Sequence, residues 1–174
     1  MIDFTLQEKY NEEVYHSSNS IIDLDREDVN QLILLASSTK RTRVRFCSHN
    51  NSSEALHEMF IVHSKDTYVR PHKHLNKPES MLVLEGKAQY ITFYDDGQIE
   101  NCIQMGTFQS GDIFYHSIKE SKFHSLLIQS GWLVFLEITK GPFFKADTQY
   151  APWSPEESDI FEVSKFMRKV QEKL

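Results

Sequence analysis

Cysteine is scarce: Cys47 and Cys102 are the only two in 174 residues. They form no C-x-x-C pair and no disulfide framework, which fits a reducing compartment. No apolar run approaches the roughly 18 residues that cross a bilayer. The opening "MIDFTLQEKYNEEVYH" is acidic and polar, with no basic segment leading into an apolar one, so no signal peptide is expected. Positive charge is short as well. A formal net charge of -6 argues against the basic face that nucleic acid requires. Repeats and low-complexity tracts are missing too. These absences predict a cytoplasmic protein with no membrane and no nucleic-acid partner. What is present is a globular composition, 40% hydrophobic and 12% aromatic, at a length that suits one domain with a real core.

The first twenty residues are polar, and "FTLQEKY" suits either an edge strand or a loose arm. "DLDREDVNQLILLASS" predicts a helix. Asp23 or Asp25 caps it, acidic residues fill its first turn, and Val29, Leu32, Ile33 and Leu35 or Ala36 form an apolar stripe. "KRTRVRF" alternates Arg41, Arg43 and Arg45, so it predicts an extended segment with three basic residues on one face. "SSEALHEMF" predicts a short second helix capped by Ser52 or Ser53. From about residue 60 short apolar or alternating runs succeed one another between turn signals. Asp96-Gly97 predicts a hairpin with a type I′ turn. This texture predicts an all-β sandwich or barrel. "SPEESDIFEVSKFMRKVQEKL" predicts a final helix with Ser154 as N-cap, Pro155 at N1 and Glu157 at N3. Its stripe is Ile160, Val163, Phe166, Met167 and Val170, which suits packing or oligomer contact. The expected layout is an arm and helical segment over 1–59, a barrel over 60–153 and a helix over 154–174, in one compact domain.

The chemistry concentrates in "PHKHLNKPESMLVLEG", residues 71–86. Side chains two apart on a strand point the same way, about 6.6 Å apart along the chain. On a helix they would diverge by about 200°. Pro71 and Pro78 disfavour helix, so His72 and His74 belong on a strand and can converge on one metal ion. The loop "LNKP" is short enough to bring Glu79 to the same point, and Gly86 ends the next strand with a turn.

The spacing of His72, His74, Glu79 and Gly86 resembles the first motif of the cupin superfamily. That resemblance implies a mainly β fold, a double-stranded β-helix barrel, here with N-terminal helices and a C-terminal helix. The second cupin motif resembles "GDIFYHSIKESKFHS", with Gly111, Asp112 and His124, but the Pro and Gly expected within it are absent. His124 is the implied fourth ligand and His116 its rival. "TYVRPHKH", "YDDG", "EITKGPFF", "YAPWSPEE" and "RVRFCSHN" resemble the WbuC-type cupin metalloproteins. This narrower likeness implies a link with surface-polysaccharide gene clusters.

Three imidazoles and a carboxylate suit one divalent transition metal: Fe, Mn, Ni, Co, Cu or Zn. Such an ion polarises an oxygen, generates hydroxide or binds dioxygen. An ion in a barrel mouth favours a small-molecule ligand that bears oxygen. Arg70 shares strand parity with the histidines and either clamps a carboxylate or phosphate or forms a surface ion pair. Arg45, with Arg41 and Arg43, either binds a phosphorylated sugar or guards an edge strand. His49 either reaches the mouth or caps the short second helix. Tyr68, His116 and Lys140 are the candidate acid–base residues. His16, His57 and His63 read as surface or core residues, and Tyr90 and Tyr94 as core. Two functions are consistent with this set. One is a metal-dependent isomerase, epimerase, lyase or dioxygenase acting on a small carbohydrate-like or carboxylate substrate. The other is a metal-containing binding or sensing module. A homodimer joined through sheet edges is expected in either case.

Overall fold

The computed structural model describes residues 2–4 and 7–174. Within them the strands are β1 (Glu8–Asn11), β2 (Val14–His16), β3 (Arg43–Cys47), β4 (Leu56–Ser64), β5 (His72–His74) and β6 (Glu79–Glu85). They continue as β7 (Lys87–Phe93), β8 (Ile99–Gly106), β9 (Tyr115–Ile118), β10 (Phe123–Ile128), β11 (Trp132–Lys140) and β12 (Thr148–Tyr150). The helices are α1 (Arg26–Ser38) and α2 (Ile160–Gln171). Thr5 and Leu6 of "FTLQEKY" lie outside the described residues; its end joins β1, at the edge of a sheet.

Two sheets face each other, in the orders β1-β2-β3-β4-β11-β6-β9 and β12-β5-β10-β7-β8. Alternation along the strands decides what lies between them. Met59, Ile61, Met81, Val83, Leu133 and Phe135 from the longer sheet meet Ala88, Tyr90, Met105, Leu126 and Ile128 from the shorter one. The opposite faces are covered by helices. Leu32 and Ala36 of α1 are fully buried against Val44, Phe46, Val62 and Val134. Val170 of α2, with Phe166 and Met167, packs on Ile91, Phe93 and Phe123. No described helix is long and apolar enough to cross a membrane.

Asp25 caps α1: its side chain accepts from Glu27 N at 2.8 Å and Asp28 N at 3.1 Å, and Asp28 accepts from Asp25 N at 2.9 Å. That reciprocal box satisfies donors that the first helical turn leaves unpaired.

Five local expectations are corrected. "SSEALHEMF" is not a helix. Asn51–Glu54 turn, Leu56 opens β4, and pairing with both β3 and β11 overrides the helix propensity of its Ala, Leu and Glu. The 59/60 boundary therefore falls inside a strand, and the arm contributes β1–β3 to the longer sheet. The Asp96-Gly97 hairpin forms without a type I′ turn: Gly97 has φ +86° while Asp96 stays at negative φ. Gly97 N donates to Tyr94 O at 3.0 Å and Tyr94 N to Gln98 O at 2.9 Å, a three-residue loop with glycine in the left-handed position. Ser154 does not cap α2. Its hydroxyl donates to Ala151 O at 2.7 Å, and Asp159 caps instead, accepting from Glu162 N at 3.1 Å. Ile160, expected in the stripe, is 80% exposed.

The basic run before β4 is used structurally in part. Arg43 bonds Glu13 at 3.0 Å and Glu157 at 2.9 Å, and Arg41 bonds the same two carboxylates. These pairs tie the β1–β2 turn to the segment before α2.

His63, on β4, gives a pH prediction. Its Nδ1 is buried with no hydrogen-bond partner among the described residues. Burial, then the charges of Arg43 and Arg45, pulls its pKa down to about 3. The unfolded chain accepts this proton below about pH 6.5 and the folded chain refuses it. The His63 contribution is therefore complete above about pH 6.5. It is lost as pH falls towards 3, by up to about 1.4 kcal/mol per pH unit. His63→Gln is expected to flatten the acid limb of a urea-unfolding stability curve. An acid limb of unchanged slope would contradict this assignment.

Candidate metal centre

His72 and His74 lie on β5, which is held between β10 and β12: His72 pairs with His124 and Tyr150, and His74 with Thr148. Glu79 opens β6, which belongs to the other sheet. The four-residue loop thus does not return the chain beside β5. It crosses the barrel, with Asn76 at φ +55° making the bend, a conformation that asparagine tolerates. Glu79 consequently faces the histidines from the opposite wall.

The side chains converge. One nitrogen from each of His72, His74 and His124 lies within 4.8 Å of the other two. Glu79 Oε2 is 3.1 Å from His74 Nε2 and Oε1 is 3.6 Å from His124 Nε2. The opposite ring nitrogens are engaged elsewhere. His72 Nδ1 donates to Arg70 O at 2.8 Å, and His124 Nδ1 to Lys122 O at 3.0 Å. His74 Nδ1 bonds Thr148 Oγ1 at 3.1 Å. A carbonyl only accepts, so the proton on His72 and His124 sits at Nδ1 and leaves a lone pair at Nε2, which on His124 lies beside Glu79. This outer shell is the one that fixes tautomer and ring angle in metal-binding histidines. Donor set and orientation together fit a divalent ion.

Electrostatics agree. Burial, then the neighbouring His124 and His74, holds the His72 pKa down at about 3, so its imidazole stays neutral. Burial alone would raise Glu79, but the charges of His124 and His74 outweigh it and the carboxyl titrates well below its ordinary range. A neutral His72 and an ionised Glu79 are ligand forms. At His74 burial lowers the pKa, but the Glu79 hydrogen bond and charge outweigh it and raise it, so an ion that binds here displaces that proton.

Further residues share this end of the barrel. Glu137 on β11 lies opposite Met81, two residues along β6 from Glu79. Burial and the Glu79 charge push its pKa up, while Arg45 opposes that rise. The Tyr90 ring lies 4.4 Å from that of His116 and stacks on His124 at 5.5 Å. Tyr90 Oη and His116 Nε2 are buried without hydrogen-bond partners among the described residues.

Of the remaining residues singled out by the sequence, Arg45 stays near enough for its charge to act on Glu137, and the others scatter. Arg45 is exposed, with Nη1 3.5 Å from Met59 Sδ. Arg70 is turned to the C-terminal segment, on Ser154 Oγ at 3.2 Å and the Tyr150 ring at 4.8 Å. Tyr68 Oη donates to Pro155 O at 3.2 Å, and burial pushes its pKa up to about 12. Lys140 is exposed at the end of β11. His49 stacks on His57 at 4.0 Å and stands apart from the His72 group. Glu137 went unnoticed in the sequence. Its signal is a lone charge in "WLVFLEIT", at the same parity as the inward Leu133 and Phe135.

A family model described as a domain of unknown function (DUF6016) matches residues 24–105. No curated protein matches the chain in sequence. Among solved structures, protein SO0799 from Shewanella oneidensis is similar at a TM-score of 0.57 and 10% identity, over 82% of this chain and 94% of that one. A variant of the oxalate decarboxylase of B. subtilis is similar at a TM-score of 0.44 and 20% identity, over 56% of this chain and 24% of that one. The Lactobacillus farciminis oxalate decarboxylase formate complex gives 0.44 and 16%, over 56% and 27%. The chain therefore spans about a quarter of the length of the oxalate decarboxylases it matches. The two facing sheets and the likeness to SO0799 define the class: a cupin fold, the double-stranded β-helix, with a histidine cluster able to hold a metal ion at one end.

Proposed function

We propose that the chain is a metal-dependent enzyme that holds one divalent transition metal through His72, His74, Glu79 and His124 and acts on a small carboxylate or carbohydrate-like molecule. One observation carries the metal reading: each of the three histidines has its Nδ1 engaged by an outer partner, while one nitrogen from each lies within 4.8 Å of the other two, and those of His74 and His124 lie beside Glu79. When bound, the ion supplies Lewis-acid polarisation of a substrate oxygen or an activated water. The protein's own groups do the rest. Arg45 offers an exposed cation to an anionic substrate group. Tyr90 Oη and His116 Nε2 supply hydrogen bonds to a bound hydroxyl or carboxylate. Glu137, raised by its surroundings, is the carboxyl available to hold a proton. The WbuC-type resemblance supports the carbohydrate-like choice and a role in surface-polysaccharide biosynthesis. A homodimer through sheet edges completes the proposal, and light scattering that finds a monomer at micromolar concentration would remove that part.

A second reading, a metal-containing sensing module without turnover, draws on one observation: Tyr68 and Lys140 are directed away from the centre. Elemental analysis decides the metal. Protein purified without a nickel column or chelator is expected to carry at least about one equivalent of Fe, Mn, Co, Ni, Cu or Zn. No metal, and none taken up on titration, would overturn both readings.

A further inference from the structure

A second group of ligand side chains stands apart from the centre described above. Cys47 ends β3 with its thiol turned into the barrel, 2% exposed. His16 ends β2, which runs parallel to β3 and pairs His16 with Cys47. His49 lies two residues after Cys47. One ligand atom from each of the three lies within 4.8 Å of the other two.

The outer shell repeats the logic of the first centre. His16 Nδ1 lies 3.2 Å from His49 O, a carbonyl that can only accept, so the His16 proton sits at Nδ1 and Nε2 is a lone pair. His49 is held from the other side by His57, whose ring stacks parallel at 4.0 Å. The Nδ1 of His49 is buried with no hydrogen-bond partner among the described residues. A buried polar atom left unpaired costs free energy that a ligand would recover. A cavity of about 900 Å³ reaches His49 of this group, with Ser48 and Asn50 also in its wall. The group lies on the same rim as Glu79: His57 pairs with Thr139, and Thr139 with Glu79.

We propose that His16, Cys47 and His49 form a second metal site, of the soft thiolate–imidazole type that takes Zn(II). Two imidazoles and a thiolate leave a fourth position for water or a small ligand. His57 does not fill it: its ring nitrogens are not among the ligand atoms that lie within 4.8 Å of one another. Burial pushes the Cys47 thiol up to about 11, so the side chain enters as S–H. Formation of the metal–sulfur bond releases that proton to solvent, one per ion bound. The thiolate distinguishes this site from the His72 centre, whose donors are nitrogen and oxygen alone. Neither site depends on the other.

Cobalt(II) is the probe, because only a thiolate ligand gives it an intense near-ultraviolet charge-transfer band. Titrated into the metal-stripped full chain, Co(II) is expected to produce that band and to bind at two sites. Cys47→Ser should abolish the band and one of the two sites. Cys102→Ser should keep both, and so should the band in His74→Ala, which separates this proposal from the one above. His16→Gln, at a half-buried position, should weaken the band-forming site by at least the roughly 10–100-fold that loss of an outer-shell partner costs. Circular dichroism of each variant reports that it is folded. A wild-type titration without the band, a band that survives Cys47→Ser, or one lost only in Cys102→Ser would overturn the proposal.

Discussion

His74→Ala is expected to empty the His72 centre while the barrel stays folded. The substitution removes a nitrogen that sits 3.1 Å from Glu79 Oε2 and faces the other two imidazoles. His74 is half-buried at the mouth and makes no part of the apolar clusters, so packing loses little. Metal affinity should fall by more than the roughly 10–100-fold attached to an outer-shell partner. His124→Ala should behave alike, since its Nε2 lies 3.6 Å from Glu79 Oε1. Thr148→Val tests the shell beyond: the Oγ1 that holds His74 Nδ1 at 3.1 Å is lost, and affinity should drop about tenfold. His116→Ala should retain the metal, because its ring packs on Tyr90 and its nitrogens do not join the cluster. Elemental analysis and isothermal titration read all four. Full occupancy in His74→Ala would mean that the three imidazoles do not share an ion.

The glycines offer the second large effect, and it concerns folding. Gly86→Ala should be strongly destabilising. Gly86 has φ +86°, and a Cβ there would lie 2.2 Å from the backbone oxygen of Trp132 and 2.4 Å from Ser130 Oγ. The left-handed backbone costs an L-residue about 1–2 kcal/mol, and overpacking against a fixed strand adds about 1–3 more. At this size each kcal/mol lowers Tm by about 2–4 °C, so a fall of roughly 4–20 °C is expected. Gly111→Ala carries the same backbone penalty, φ +79°, but its Cβ meets nothing within 4 Å among the described residues. It should cost only about 1–2 kcal/mol. Gly131→Ala has neither problem and should be close to neutral. Calorimetry that ranks the three otherwise would show that contact with the β10–β11 turn is not what requires glycine at 86.

The candidate metal-binding stretch was legible because its signal is local. H-x-H is meaningful only on a strand, two prolines exclude helix, and the distance to Glu79 is set by a short loop. What the loop does in space was not legible. Four residues between His74 and Glu79 suit a return beside the same strand, but the chain crosses to the facing sheet. The two routes differ in which strands pair, and pairing partners are remote in sequence. The same holds for "SSEALHEMF": its residues prefer helix in isolation, and two long neighbouring strands draw it into the sheet.

Charge was legible only as alternatives, and for Arg70 the ion pair is the one that forms, with Glu156 at 3.4 Å. Arg41 and Arg43 look like one basic face from the sequence. In the fold they hold Glu13 and Glu157, from opposite ends of the chain. Arg70 has strand parity with His72, yet its guanidinium lies over Tyr150 and its backbone carbonyl is what serves the site. Conversely, Cys47 and His49 stand two apart, as His72 and His74 do, but the third member, His16, is remote from them in sequence. Only the parallel pairing of β2 with β3 brings them together.

By itself, then, the sequence determined the strand-rich barrel, the capped first helix and the choice of His72, His74 and Glu79 as candidate ligands. Each of those rests on short-range physics: side-chain period, capping groups and prolines. The tertiary structure alone decided which sheet each strand joins and that Glu79 faces the histidines from the opposite wall. It also decided that Glu137 reaches their end of the barrel and that a thiol meets two further imidazoles on the same rim. Those outcomes depend on contacts between distant residues, and register and sheet order settle them only when the whole core packs at once.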